Sequence, residues 1–203
     1  MKFRELAVPG AYEVSPQVFG DSRGFFFESF RADKLASLIG HPFIVRQTNT
    51  SCSQKGALRG IHYAQVPMGQ AKYVSVLQGS IIDYVVDLRV GSPTYKTWDS
   101  VELTSDNHLS IYIPEGCGHA FVSLEDNTVV NYLVTDVYRP EREFGIDPLD
   151  KEIALNFPLA HSELLISEKD LNAPSLDQAF ASGDLVNIND IAALYSELGR
   201  EGN

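Results

Sequence analysis

What most constrains this chain is the punctuation of its first two thirds, where short runs rich in Val, Ile, Tyr and Phe are separated by Gly, Pro, Asn or Asp. Such spacing predicts many short strands in an antiparallel barrel or sandwich, an all-β architecture. The principal runs are 25–30, 44–48, 71–78, 80–88, 98–103, 109–113 and 128–134. Turn signals fall at Gln78-Gly79, Gly91-Ser92-Pro93, Ser105-Asp106-Asn107 and Glu125-Asp126-Asn127. Two stretches carry helical spacing: 31–39, ending at Gly40, and 189–198, with Ile191, Leu194, Tyr195 and Leu198 on one face. These helices are expected at the periphery. With no repeat or long linker, residues 1–203 read as one domain, a core of about 1–175 followed by a helical tail over 176–203.

Sixteen Lys and Arg stand against 27 Asp and Glu, a formal charge of −11. That balance argues against a nucleic-acid partner, which requires a basic face. An anionic small molecule would need a local group of cations, because the field of the whole chain repels it. Cys52 and Cys117 are isolated, so no zinc cluster or disulfide framework is expected. No leader-like or membrane-spanning apolar run appears, and a cytoplasmic location with no membrane partner is the expectation.

Three clusters carry possible chemistry. In Leu58-Arg59-Gly60-Ile61-His62-Tyr63, a cation and an imidazole sit three residues apart in a strand. Strict alternation sends Arg59 and His62 to opposite faces, so a shared cavity requires a bulge at Gly60. In Gly69-Gln70-Ala71-Lys72, Lys72 is either an edge-strand lysine that discourages aggregation or a cation aimed inward at a developing oxyanion. In Ile113-Pro114-Glu115-Gly116-Cys117-Gly118-His119, a PxGxxH turn resembles the second motif of cupin barrels. Cupins commonly bind a metal through further histidines, but the region of His62 supplies no second one, so no metal is expected. Tyr132 lies in a strand where a core tyrosine is the ordinary outcome. Glu141-Arg142-Glu143 reads as a solvated charge run, and Ser167-Glu168-Lys169-Asp170 as a turn or helix cap.

Taken in order, these landmarks resemble the dTDP-4-dehydrorhamnose 3,5-epimerases, metal-free cupin epimerases of deoxysugar biosynthesis. The set also includes Asp21-Ser22-Arg23-Gly24, Phe27-Glu28, Gln47-Thr48-Asn49, Val86-Asp87-Leu88-Arg89, Gly91-Ser92-Pro93-Thr94 and Tyr138. The resemblance implies a cupin-type jelly-roll barrel, no cofactor, a homodimer, and a dTDP-4-keto-6-deoxyhexose substrate inverted at C3 and C5. His62 would be the base, Asp170 its partner, Lys72 the group that holds the enolate, and Tyr132 the acid on the opposite face. A phenol, ordinarily near ~10, stays protonated at neutral pH, while an imidazole can accept a proton. Substrate binding would fall to Arg23, Glu28, Gln47, Asn49, Arg59, His119, Tyr138, Glu143 and Lys169, with Tyr138 stacked on thymine and an N-terminal strand given to the other subunit. Three departures stand out: Tyr95-Lys96 for the usual Phe-Gly, Phe157-Pro158 for Trp-Pro, and His119-Ala120-Phe121 for His-Gly-Phe. They bear on loop geometry and product choice rather than on the acid and base. The competing readings are a 3-only or 5-only epimerase, a ketoisomerase, a metal-dependent cupin and a sugar nucleotide sensor without turnover.

Overall fold

A computed structural model describes residues 1–67 and 69–201, so the last two residues of the expected tail lie outside the described residues. Among the described residues fourteen strands run β1 (Lys2–Glu5), β2 (Tyr12–Ser15), β3 (Val18–Asp21), β4 (Gly24–Phe27), β5 (Gln47–Ser53), β6 (Ala57–Ala64), β7 (Lys72–Gln78), β8 (Ser80–Asp87), β9 (Trp98–Thr104), β10 (Ser110–Ile113), β11 (Cys117–Ser123), β12 (Thr128–Val134), β13 (Glu143–Gly145) and β14 (Leu165–Ile166). Helix α1 (Ala32–Ile39) follows β4, and α2 (Glu168–Leu171), α3 (Leu176–Ser182) and α4 (Ile188–Glu201) close the chain.

One sheet has the order β1-β2-β10-β7-β12-β5, the other β13-β6-β11-β8-β9 with β14 added to β6. The sheets form a jelly-roll sandwich with open edges. Between them lies an apolar core of Val74, Val76, Ile111 and Val130 from the first sheet and Ile81, Val85, Leu103 and Phe121 from the second. Each outer face is also covered. Leu35 of α1 and Phe43 pack on Val14, Tyr73 and Tyr112, while Ile146, Ile153, Leu176 and Ala179 cover Leu58, Tyr84 and Val122. Two buried faces explain why 80–88 reads as a nearly unbroken apolar run rather than an alternating one.

Local chemistry sets the boundaries. Helix α1 stops where Gly40 enters the left-handed region at φ +83°, donating its N–H to the Ala36 carbonyl. Ser175 caps α3 and its Gln178 returns a hydrogen bond, a reciprocal capping box. Behind β8, Arg89 grips buried Asp87 with two hydrogen bonds of 2.8 and 3.0 Å and also donates to the Pro9 carbonyl, tying the N-terminal segment to the sandwich. Lys96, standing where the family's Gly is expected, keeps a φ of +74°.

The tail is less peripheral than its sequence suggests. Leu176 and Ala179 of α3 are part of the core, and Ile191 of α4 is 2% exposed. By contrast, β3 and β4 form a separate two-stranded hairpin whose Val18, Phe19, Phe25 and Phe26 are all exposed.

Candidate active site

A cavity of about 580 Å³ opens between the β5-β12-β7 part of one sheet and the β6-β11 part of the other. That volume is within the range of small-molecule sites, roughly 300–1,000 Å³. Its wall gathers Gln47, Asn49, Arg59, His62, Lys72, His119, Tyr132, Tyr138, Glu143, Lys169 and Asp170. Eleven of the sequence-predicted site residues therefore meet in one chamber. Arg23 and Glu28 do not. They belong to the exposed hairpin and the segment after it, where Arg23 pairs with Asp21 and Glu28 with Arg31.

Arg59 and His62 share the cavity because β6 is bulged. Opposite β11, His62 aligns with His119 but Arg59 aligns with Phe121, so the register shifts between them. Gly60 takes φ +128°, and a Cβ there would fall 2.5 Å from both the Ala120 Cβ and the His119 carbonyl oxygen. Only glycine allows this close approach of the two strands. Arg59 then reaches Ser53 Oγ at 3.1 Å.

His62 Nε2 lies 2.7 Å from Asp170 Oδ1. Asp170 is placed by a one-turn helix: Ser167 caps α2 by accepting the Asp170 N–H at 3.1 Å. The helix cap and the carboxylate that meets His62 are thus one device. Burial raises the Asp170 carboxyl, but the hydrogen bond and charge of His62, with help from Ser167 and the Gly60 N–H, hold it below its ordinary value. In the tautomer that donates Nε2–H to an ionised Asp170, Nδ1 of His62 carries the lone pair.

Lys72 begins β7, which is flanked by β10 and β12, so it is not an edge-strand lysine. It is 7% exposed. Burial pulls its ammonium below the ordinary lysine value, against the opposing pull of Glu143 and Asp83. Tyr132, on β12, is pushed up by burial and by Glu143, with Arg59 and Asn49 working the other way. It therefore remains a phenol at neutral pH.

Sequence reasoning missed Asp83. This carboxylate is fully buried in β8 and sits 2.9 Å from His119 Nε2, making a second His–Asp pair one strand away from the first. Burial raises Asp83 and lowers His119, while each pulls the other back toward its charged form and Lys72 also pulls Asp83 down. The sequence carries only half of the signal: a lone acid inside Ile81-Ile82-Asp83-Tyr84-Val85 needs a buried partner, which the strand itself does not name. Ser51 was also missed; it lines the cavity with a buried hydroxyl that has no hydrogen-bond partner among the described residues.

At the cavity rim Gln47 donates to Asn49 at 2.7 Å and accepts the Tyr138 N–H at 2.9 Å, so three binding candidates form one strip. Gln70 donates to Glu143 at 3.2 Å. Glu143 is therefore tied into the wall rather than left in a solvated charge run. Among the described residues no group of three or more His, Cys, Asp and Glu side chains is arranged to hold a metal ion. Each cavity histidine turns a ring nitrogen to a carboxylate instead.

The family model described as dTDP-4-dehydrorhamnose 3,5-epimerase matches residues 5–178 of this chain. The chain belongs to the dTDP-4-dehydrorhamnose 3,5-epimerase family. A member from Mycolicibacterium smegmatis, named dTDP-4-dehydrorhamnose 3,5-epimerase, is 46% identical over 98% of both chains. The solved Mycobacterium tuberculosis epimerase superposes with a TM-score of 0.95 at 43% identity, covering 98% of this chain and 100% of that one. A 3′-monoepimerase from Streptomyces bikiniensis, solved with dTDP-quinovose, gives a TM-score of 0.91 at 37% identity, covering 96% and 98%. Epimerases of both product scopes thus share this fold. No helix of this family member, among the described residues, is long and apolar enough to cross a membrane.

Proposed function

We propose that this chain is a dTDP-4-dehydrorhamnose 3,5-epimerase that inverts C3 and C5 of dTDP-4-keto-6-deoxy-D-glucose in rhamnose-type deoxysugar biosynthesis. The observation that carries this reading is the His62–Asp170 pair, held at 2.7 Å in a cavity that also presents buried Lys72 and a protonated Tyr132.

A proton beside a ketone is weakly acidic, and its removal needs a base together with a counter-charge for the enolate oxygen. His62 takes the proton at Nδ1 and becomes an imidazolium stabilised by Asp170. The C–H electron pair forms the C=C bond, and the former carbonyl oxygen gains negative charge beside Lys72. Tyr132 returns a proton to the opposite face of the same carbon, which inverts it. Exchange with solvent then resets His62 and Tyr132 before the second carbon reacts. His119, fixed by Asp83, adds a second ring beside the sugar. Arg59 and Lys169 supply cations for the diphosphate, and Tyr138, 54% exposed at the rim, offers a face for thymine.

We extend the reading to a homodimer in which the β3–β4 hairpin delivers Arg23 and Glu28 to the other subunit's cavity. An isolated two-stranded hairpin is marginal on its own, and one that exposes Val18, Phe19, Phe25 and Phe26 calls for a covering surface. Cys52 and Cys117 are free thiols, which suits a reducing cytoplasm.

The test is proton NMR of dTDP-4-keto-6-deoxyglucose with the purified protein in deuterated water, following C3 and C5 separately. Deuterium at both carbons, with inversion, supports the proposal. Exchange at C3 alone would make the chain a monoepimerase like its Streptomyces bikiniensis relative, and carbonyl migration would make it a ketoisomerase. A bound nucleotide with no exchange would leave a sensor.

A further inference from the structure

Lys72 is the first residue of β7, paired with Ile113 of β10 and Val134 of β12 but with no residue of its own strand before it. His62 and His119 lie inside their strands, with neighbours paired before and after them. Strand ends open more readily than strand interiors, and a catalytic cation in such a place needs another restraint. Immediately before it, Ala71 is clamped twice. Its N–H donates to Thr135 Oγ1 at 2.8 Å, and its carbonyl accepts the Thr135 N–H at 3.2 Å. Thr135 donates its hydroxyl hydrogen bond to Glu115 Oε1 at 3.3 Å, and Tyr195 of α4 donates to Glu115 Oε2 at 2.9 Å. Glu115 is 2% exposed, and these two hydroxyls occupy one oxygen each.

The packing around this chain of bonds is close. A Cβ on Gly69 would fall 2.7 Å from Glu115 Cγ and 3.4 Å from Leu194 of α4, and a Cβ on Gly116 would fall 3.0 Å from Ile191. His41 stacks on the Tyr195 ring at 4.2 Å. None of Tyr195, Glu115 or Thr135 lines the cavity. The ends of β7, β10 and β12 converge here, and the adjoining Gln70 reaches Glu143 in the cavity wall.

We propose that Tyr195, Glu115 and Thr135 form a positioning relay through which α4 fixes Lys72 at the enolate oxygen; this rests on the reading of Lys72 given above. The relay touches no substrate and acts on the geometry of residues 70–72. It makes α4 part of the working enzyme rather than a decoration of the sandwich.

The experiment measures kcat and KM for epimerisation, together with thermal melting, for Tyr195→Phe, Thr135→Val, Thr135→Ser, Lys72→Met and the double variant Tyr195→Phe/Lys72→Met. Tyr195→Phe keeps the ring on His41 and removes only the hydroxyl. Small displacements of a catalytic group cost up to about 100-fold, so a fall of about tenfold in kcat with KM within about twofold is expected for Tyr195→Phe and Thr135→Val. Thr135→Ser retains the hydroxyl and keeps activity. In the Lys72→Met background, Tyr195→Phe adds less than about twofold, because the group it positions is gone. Unchanged kcat in both Tyr195→Phe and Thr135→Val would overturn the relay, as would a tenfold loss that persists in the Lys72→Met background. If Lys72→Met itself turns over at the wild-type rate, the reading of Lys72 fails first and the relay falls with it. If Tyr195→Phe does not fold, the Thr135 pair makes the same comparison.

Discussion

Burial sharpens the contribution of Lys72 to the cavity. Water is scarce around a side chain that is 7% exposed, and charge on an enolate oxygen is felt more strongly there than in solvent. Lys72→Met should therefore lower kcat by about 10²–10³-fold, the scale of losing one oxyanion donor, while dTDP affinity in a calorimetric titration stays within a few-fold. The proposed proton donor leaves a different signature. Tyr132→Phe removes the acid but not His62, so the base can still take a proton and return it to the same face. The variant should show deuterium at C3 or C5 with little inversion; inversion at the wild-type rate would remove Tyr132 from the mechanism. Asp170 adds a pH dependence of known sign. Its carboxyl is depressed in the folded protein, so its stabilising effect is complete above the ordinary carboxylate value and is lost as pH falls through the lower folded one. Melting curves of wild type and Asp170→Asn should converge in that acidic window. That His62, Lys72, Tyr132 and Asp170 share one cavity was legible from the ordered motifs of the resemblance. Asp83 was not, because one acid in an apolar strand announces a buried partner without naming it, and that partner, His119, comes from 36 residues away.

At the scale of elements, the bulge in β6 decides whether the site exists. Gly60→Ala places a methyl group 2.5 Å from two atoms of β11 at a backbone angle that L residues rarely adopt. The expected cost is at least ~2 kcal/mol, which corresponds to ~4–8 °C in Tm for a chain of this size. Calorimetry would check it; unchanged melting would mean the two strands separate at little cost. The need for this bulge followed from strand alternation alone, since Arg59 and His62 cannot otherwise share a face. Strand β5 shows the opposite case. The sequence pointed to 44–48, whereas the strand runs Gln47–Ser53. Its inward positions Gln47, Asn49 and Ser51 face the cavity rather than the core, so polar residues stand where a periodicity argument looks for apolar ones. Strand β7 was read correctly to within one residue because Tyr73, Val74 and Val76 all pack in apolar surroundings. Function erases the hydrophobic pattern where the pocket replaces the core.

For the whole molecule, the hairpin gives the decisive prediction. If β3–β4 serves the neighbouring subunit, Arg23→Ala and His62→Ala chains should complement one another when refolded together. Statistical pairing makes half of all dimers mixed, and each mixed dimer carries one complete site of two, so activity of about a quarter of wild type is expected, and none from either parent beyond its residual activity. Mixing that restores nothing would place the hairpin on its own chain's site. Sequence alone suggested an exchanged N-terminal strand only through resemblance. The aromatic composition of Phe25-Phe26-Phe27 reads equally well as a core strand, and the difference emerges only when β3 and β4 stand apart from both sheets. The cavity also divides by depth. Lys72, Asp83, His119 and Asp170 are buried, whereas Arg59, Tyr138 and Lys169 face solvent. A lineage of such proteins can accept mutations at the rim without disturbing the groups beneath it. Recognition of the nucleotide end can drift there while the buried groups are inherited unchanged.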